Sequence, residues 1–121
     1  MSSDDPTQKE QLGDLEEEKT FHNEKLGGAF TFRLPFVYDE LAVLRRRAQI
    51  MGVPENLAGP ELLALSHSQA MFEVYNVQAP RSFKMDKQRS WAPFIDLMTE
   101  VRDWHDQFFR SMGPKEEPVS S

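Results

Sequence analysis

The sequence predicts a mainly α protein, a small domain of about three helices preceded by a short β-hairpin, with disordered termini. Three observations point there. Phe30 and Phe32 alternate with Thr31 and Arg33 immediately before Pro35. A heptad-spaced apolar stripe then runs from Val37 to Met51, and a wide aromatic arc fills the stretch between Ser90 and Met112. Alternation at period two marks a strand, whereas spacings of three and four mark helices.

The hairpin is expected over Lys19 to Lys25 and Ala29 to Leu34, joined at Gly27-Gly28, because paired glycines reach the backbone angles of a tight turn without steric cost. Pro35 ends the second strand, since it has no N–H to donate and pushes Leu34 toward extended geometry.

The first helix is expected from Phe36 or Val37 to Met51. Asp39 and Glu40 lie in its first turn, where carboxylates complement the helix dipole, and Gly52 follows its end. Its seam is Val37, Leu41, Leu44, Ala48 and Met51, which assigns that stripe to the core. Val43 and Ile50 fall on nearly the opposite side and form a second apolar face. That face suits either packing beneath the hairpin or the N-terminal loop, or contact with a partner or a second copy. Arg45, Arg46 and Arg47 point about 100° apart on a helix and so do not make one flat basic patch. Arg46 and Arg47 flank the second face, where they are placed to pair with a partner.

Pro54, Gly59 and Pro60 punctuate the next stretch, and Pro60 suits the first position of a second helix running to about Gln78. Leu63, Ala70, Val74 and Val77 line one side of it and Leu65, Phe72 and Tyr75 another, as expected of a helix wedged between neighbours. Pro80 stops it, and 81–89 reads as a polar loop. The third helix begins near Ser90, a capping residue, tolerates Pro93 in its first turn, and ends at Gly113-Pro114. Half of its circumference is apolar, including Phe94, Leu97, Val101, Trp104, His105 and Phe108. A face that wide touches two neighbours, or one neighbour and a partner.

Charge divides the chain into three parts. Residues 1–18 carry seven acids against Lys9, a balance equal to the net charge of −6 of all 121 residues. Too little apolar area is present there to offset ordering entropy, so a disordered acidic tail is expected over 1–18, with a helix over Leu12 to Glu18 forming only on a partner as the alternative. The body, 19–112, is almost neutral with twelve basic and eleven acidic residues, and 113–121 is expected to be a second disordered tail. A near-neutral body lacks the concentrated basic face of a nucleic-acid binder. There is no cysteine, so disulfide and thiolate chemistry are excluded. The opening MSSDDPTQKE lacks the apolar core of a secretion signal, and no apolar run approaches the roughly 20 residues a bilayer requires. A protein of the cytoplasm, without a membrane partner, is expected.

Chemistry-bearing constellations are missing from the sequence. His22, His67 and His105 have no metal-ligand spacing, and His105 reads as a core imidazole with a hydrogen-bonding neighbour. Adjacent helical residues diverge, so Ser66-His67-Ser68 is not a nucleophile and base pair. Gly27-Gly28 lacks a phosphate-cradling pattern, and Asp96, Glu100 and Asp103 make a solvated helical face. The expectation is no enzyme, no cofactor and no metal.

The order of features carries a resemblance: a hairpin, FTFRLP (Phe30 to Pro35), a helix containing RRRAQIMG with Arg46 to Gln49, a helix ending in AP, and a final aromatic helix with EVRDWHDQFFR and its Phe109-Arg110 pair. This resembles the small tail assembly chaperones of long-tailed bacteriophages over about residues 18–112. The acidic amino terminus and Tyr38-Asp39-Glu40 depart from the pattern. The resemblance implies a non-structural late protein of the host cell cytoplasm, absent from the mature virion. Such a protein coats the tape measure protein, keeps its apolar face from aggregating and helps recruit tail tube subunits of the major tail protein. Aromatic and Met side chains adapt to a repeating apolar stripe at low specificity. The partner-binding residues expected on this reading are Val43, Arg46, Arg47, Ile50, Trp104 and Phe108. An unpaired hairpin edge and a spare apolar face also leave room for a homo-oligomer. Two other readings stand beside it: a virion structural or completion protein of the phage head or tail, and an acidic inhibitor that mimics nucleic acid through residues 4–18.

Overall fold

The computed structural model describes residues 17–112. The two expected tails, and the stop at Gly113-Pro114, therefore lie outside the described residues, except that Glu18 already opens the first strand. Strand β1 (Glu18–Asn23) pairs antiparallel with β2 (Gly28–Arg33), with Phe21 opposite Phe30 and Lys19 opposite Phe32. The connection is a single 3-10 turn at Glu24–Leu26. Asn23 caps it by accepting the Leu26 N–H at 3.1 Å, and Gly27 leaves it at a left-handed φ of 112°. That conformation favours glycine, whereas the 2.9 Å from a Cβ there to the exposed Ser82 hydroxyl is a contact that rotation of Ser82 relieves.

Helix α1 (Asp39–Met51) starts two or three residues later than expected. The Asp39 carboxylate accepts the Phe36 N–H at 2.6 Å, and the Asp39 N–H returns to the Phe36 carbonyl at 3.0 Å. Phe36, Val37 and Tyr38 are thereby held in a turn ahead of the helix. Gly52, with φ of 70°, ends it as expected. Helix α2 (Pro60–Tyr75) follows, with Pro60 in its first turn, and α3 (Ala92–Met112) closes the domain.

The sequence reading carried α2 on to Gln78, but Asn76–Gln78 instead form a third strand, β3, against the free edge of β2. Asn76 makes the transition. Its side-chain amide donates to the Thr31 carbonyl at 3.2 Å and to the Gln78 carbonyl at 3.0 Å. Backbone groups on the β2 edge thus find partners that a longer helix would have denied them. The domain is mainly helical, with a three-stranded antiparallel sheet ordered β1-β2-β3.

One core joins sheet and helices. Phe21, Phe30 and Phe32 on the inner sheet face meet Phe94, Leu97, Val101 and Trp104 of α3 and Ala70, Met71 and Tyr75 of α2. Edge-to-face and tilted aromatic contacts run through it, from Trp104 to Phe21 (5.8 Å), from Phe32 to Phe72 (5.7 Å) and from Phe72 to Phe94 (5.5 Å). The wide apolar arc of α3 is filled by two neighbours, the sheet and α2.

Helix α1 packs on α2 with the opposite side from that expected. Val43 is 2% exposed and Ile50 packs against the core, whereas Val37 is 86% exposed and Leu41 and Leu44 are 43% and 45% exposed. Of the expected seam only Met51 is buried. The reason lies in the polar contacts that share the Val43 side. Asp39 bonds Arg33 of β2, Arg46 pairs with Glu73 of α2 at 2.6 Å, and Arg47 reaches Glu55 at 3.2 Å and the His67 ring at 3.4 Å. Residues 39, 43, 46, 47 and 50 lie on one helical face. The contacts run in opposite order along the two helices, Asp39 beside Val74 and Arg47 beside His67, so α1 and α2 are antiparallel.

This inversion yields a direct comparison. Val43→Asp buries an unpaired carboxylate and should cost roughly 3 kcal/mol or more, while Leu44→Asp should stay within about 0.5 kcal/mol of the parent, as measured by urea unfolding.

Candidate functional site

The principal concavity among the described residues is a groove of about 920 Å³ between α1 and α3, floored by α2 and the end of β2. Each side chain reaches it for a local reason. Pro35 ends the β2 ladder, so the chain turns outward and offers Phe36 and Val37 at the groove's rim. Met71 and Tyr75 are one turn apart on α2 and form the floor with Leu34 and Val43. On α3, Arg102, His105, Asp106 and Phe109 recur at spacings of three and one and line the far wall with Phe108.

Beneath the rim Arg33 holds the groove's shape. Its guanidinium donates twice to the Asp39 carboxylate, at 2.7 and 3.1 Å, and once each to the carbonyls of Leu34 (3.3 Å) and Val74 (3.1 Å). It also stacks near the rings of Phe36 (5.6 Å) and Tyr75 (5.5 Å). The bond from Arg33 keeps the Asp39 carboxyl below the usual carboxylate range, with further help from the Phe36 N–H. Burial pushes the Tyr75 phenol up to about 12, and Asp39 and Glu40 add to the effect.

Two imidazoles line the same groove. His105 is buried, donates from Nε2 to the Arg33 carbonyl at 3.0 Å and packs edge-on against Tyr75 at 4.6 Å. Burial holds its pKa below the ordinary value despite that bond and the nearby Asp106 and Asp39. His67 is lowered as well, first by burial and then by Arg47 and Arg102. Both are neutral rings at neutral pH, suited to lining an apolar groove rather than to holding charge.

The six residues expected at a partner surface are dispersed. Val43 and Trp104 lie in the core, Trp104 at 6% exposure, so neither is presented to solvent; Trp104 is taken up by Phe21. Ile50 is half-buried against the same core. Arg46 and Arg47 are committed to Glu73 and Glu55 within the chain. Phe108 is half-buried and, with Val43, is the part of the set that the groove brings together. Sequence reasoning missed Phe36, Tyr38 and Phe109 as surface residues, and it assigned Val37, Leu41 and Leu44 to the interior. Their stripe was visible, but nothing in its spacing says which side of it meets solvent.

Among the described residues no three His, Asp or Glu side chains come together as metal ligands, and no helix is long and apolar enough to cross a membrane. Comparison of the chain with protein-family models, with curated proteins and with solved structures returns no match.

Two predictions follow from these contacts. Replacing Arg33 with Lys keeps the charge but loses the forked geometry, and should lower unfolding free energy by about 1–3 kcal/mol in urea titrations. The second concerns pH. Because His105 and His67 titrate lower in the fold than in the unfolded chain, their contribution is complete above about pH 6.5 and is lost as pH falls through the folded values. Asp39 and Glu73, also lowered, add a further loss below about pH 4. The melting temperature should therefore be level from neutrality to about pH 9, above which the raised Tyr75 begins to cost stability, and fall on mild acidification, and His105→Gln should flatten the first part of that fall.

Proposed function

We propose that this protein is an assembly chaperone that holds an amphipathic helix of a long helical client, the tape measure protein of a long-tailed bacteriophage, until tail tube subunits replace it. The carrying observation is the apolar surface at the groove: Phe36 and Val37 at its rim, Phe109 on its far wall, and Leu41 and Leu44 continuing the Val37 stripe along α1. Single exposed hydrophobes are ordinary, but Leu41 and Leu44 on one helix, running on from Val37 in the turn before it and lying beside an apolar groove, are the kind of surface that mates with another chain. A helix laid along it would add its own stripe to those of α1 and α3.

The groove supports an amphipathic helix as the class of client, and the order of motifs, FTFRLP before RRAQ before the final Phe109-Arg110 pair, supports the tape measure protein. On this reading the protein is not an enzyme, acts in the host cell cytoplasm, and is absent from finished particles.

Co-expression with the tape measure protein followed by affinity capture tests it. The Val37→Asp, Leu41→Asp, Leu44→Asp triple variant changes only exposed positions and should fold normally, yet its client yield should fall about tenfold or more, as expected when anchor residues are removed. Undiminished capture by the folded variant overturns the proposal.

A further inference from the structure

Helices α1 and α3 both pack on α2 and leave the groove open between them. Its floor is apolar, but its walls carry charge of mainly one sign. Glu17 and Glu18 stand at the start of β1, Glu40 on α1 and Asp106 on α3, all four exposed. Two arginines also line it. Arg33 is neutralised by Asp39, which leaves Arg102, a residue without an ion pair among the described residues. Four carboxylates therefore face one free guanidinium, and the two lining imidazoles are neutral.

Acidic walls over an apolar floor select an occupant by complementarity of charge. We infer that the groove takes an amphipathic helix from a partner chain whose apolar stripe is flanked by lysine or arginine; this rests on the holding role proposed above. Such a helix seats its stripe on the exposed Phe36, Val37 and Phe109 and the half-buried Phe108 while its long basic side chains extend along the apolar rim to the carboxylates. A segment matching α1 in length spans about 20 Å.

Two other occupants fit less well. Residues 1–16 precede the groove directly, but they carry five acids against Lys9 and offer only Met1, Leu12 and Leu15 as large apolar side chains. They would bring like charge to the walls and little to the floor. A second copy docked groove to groove would set the same carboxylates against each other, because a two-fold contact pairs each patch with itself.

Two synthetic helical peptides with one shared apolar stripe, flanked by lysine in one and glutamate in the other, test the inference on the full chain by fluorescence anisotropy. At low ionic strength the lysine peptide should bind about tenfold tighter, and the preference should shrink in high salt. The Glu18→Gln, Glu40→Gln, Asp106→Asn variant should lose it, and the Glu18→Lys, Glu40→Lys, Asp106→Lys variant should reverse it, with unchanged circular dichroism. Equal binding of both peptides, preference for glutamate, or no binding by either overturns the inference, as does light scattering that finds a dimer which excludes the peptide. Stripe-dependent capture of the tape measure protein alongside any of these results leaves the holding role standing and removes only the basic flank.

Discussion

Arg33 is the contact on which the geometry of the domain depends. It sits at the last position of β2, and its guanidinium reaches the first residue of α1 through Asp39 and the end of α2 through the Val74 carbonyl. Three elements that are remote in sequence thus meet at one fork. Each charge-assisted hydrogen bond contributes roughly 1.5–3 kcal/mol when sheltered, and less here because the Arg33 and Asp39 side chains retain 30% and 17% of their exposure. Energy is not its main effect. A planar fork with two acceptors and two flanking rings admits few arrangements, so it specifies where α1 begins and which way that helix is turned.

The rotation of α1 has consequences for what the protein shows to its surroundings. With Asp39 drawn to Arg33 and Arg46 to Glu73, Val43 and Ile50 face α2, and the Val37, Leu41, Leu44 stripe is left facing outward. In a domain whose described residues run from 17 to 112 the apolar core is small, and these three side chains would have been useful inside it. Their exposure belongs with the groove that opens beside them. The core is instead assembled from the aromatic residues of β2 and α3, where Phe30, Phe32 and Phe94 are fully buried.

The groove itself is a product of layer arrangement. The sheet covers one side of α3, α2 supports both other helices, and residues of α1, α3 and the end of β2 line the space left between them. Buried neutral groups finish the lining: His105 spends its N–H on the Arg33 carbonyl, and Tyr75 keeps its phenol proton. An apolar trough with charged walls results.

Much of the fold was legible in the residues alone. Alternation of Phe30 and Phe32 ahead of Pro35, the glycine turn, the capping Gly52, Pro60 at the start of α2 and the half-apolar wheel of α3 each specify local structure through short-range sterics and periodicity, and each element is found where it was expected to within a few residues. The third strand was not legible, because Asn76–Gln78 leave the helix only when the β2 edge is there to pair with. The candidate site was half legible: both apolar faces of α1 could be read, but not which one the domain would keep. Periodicity determines which side chains share a face. What that face meets is decided by contacts across the chain, Arg33 to Asp39 and Arg46 to Glu73, and these exist only once the tertiary structure has formed.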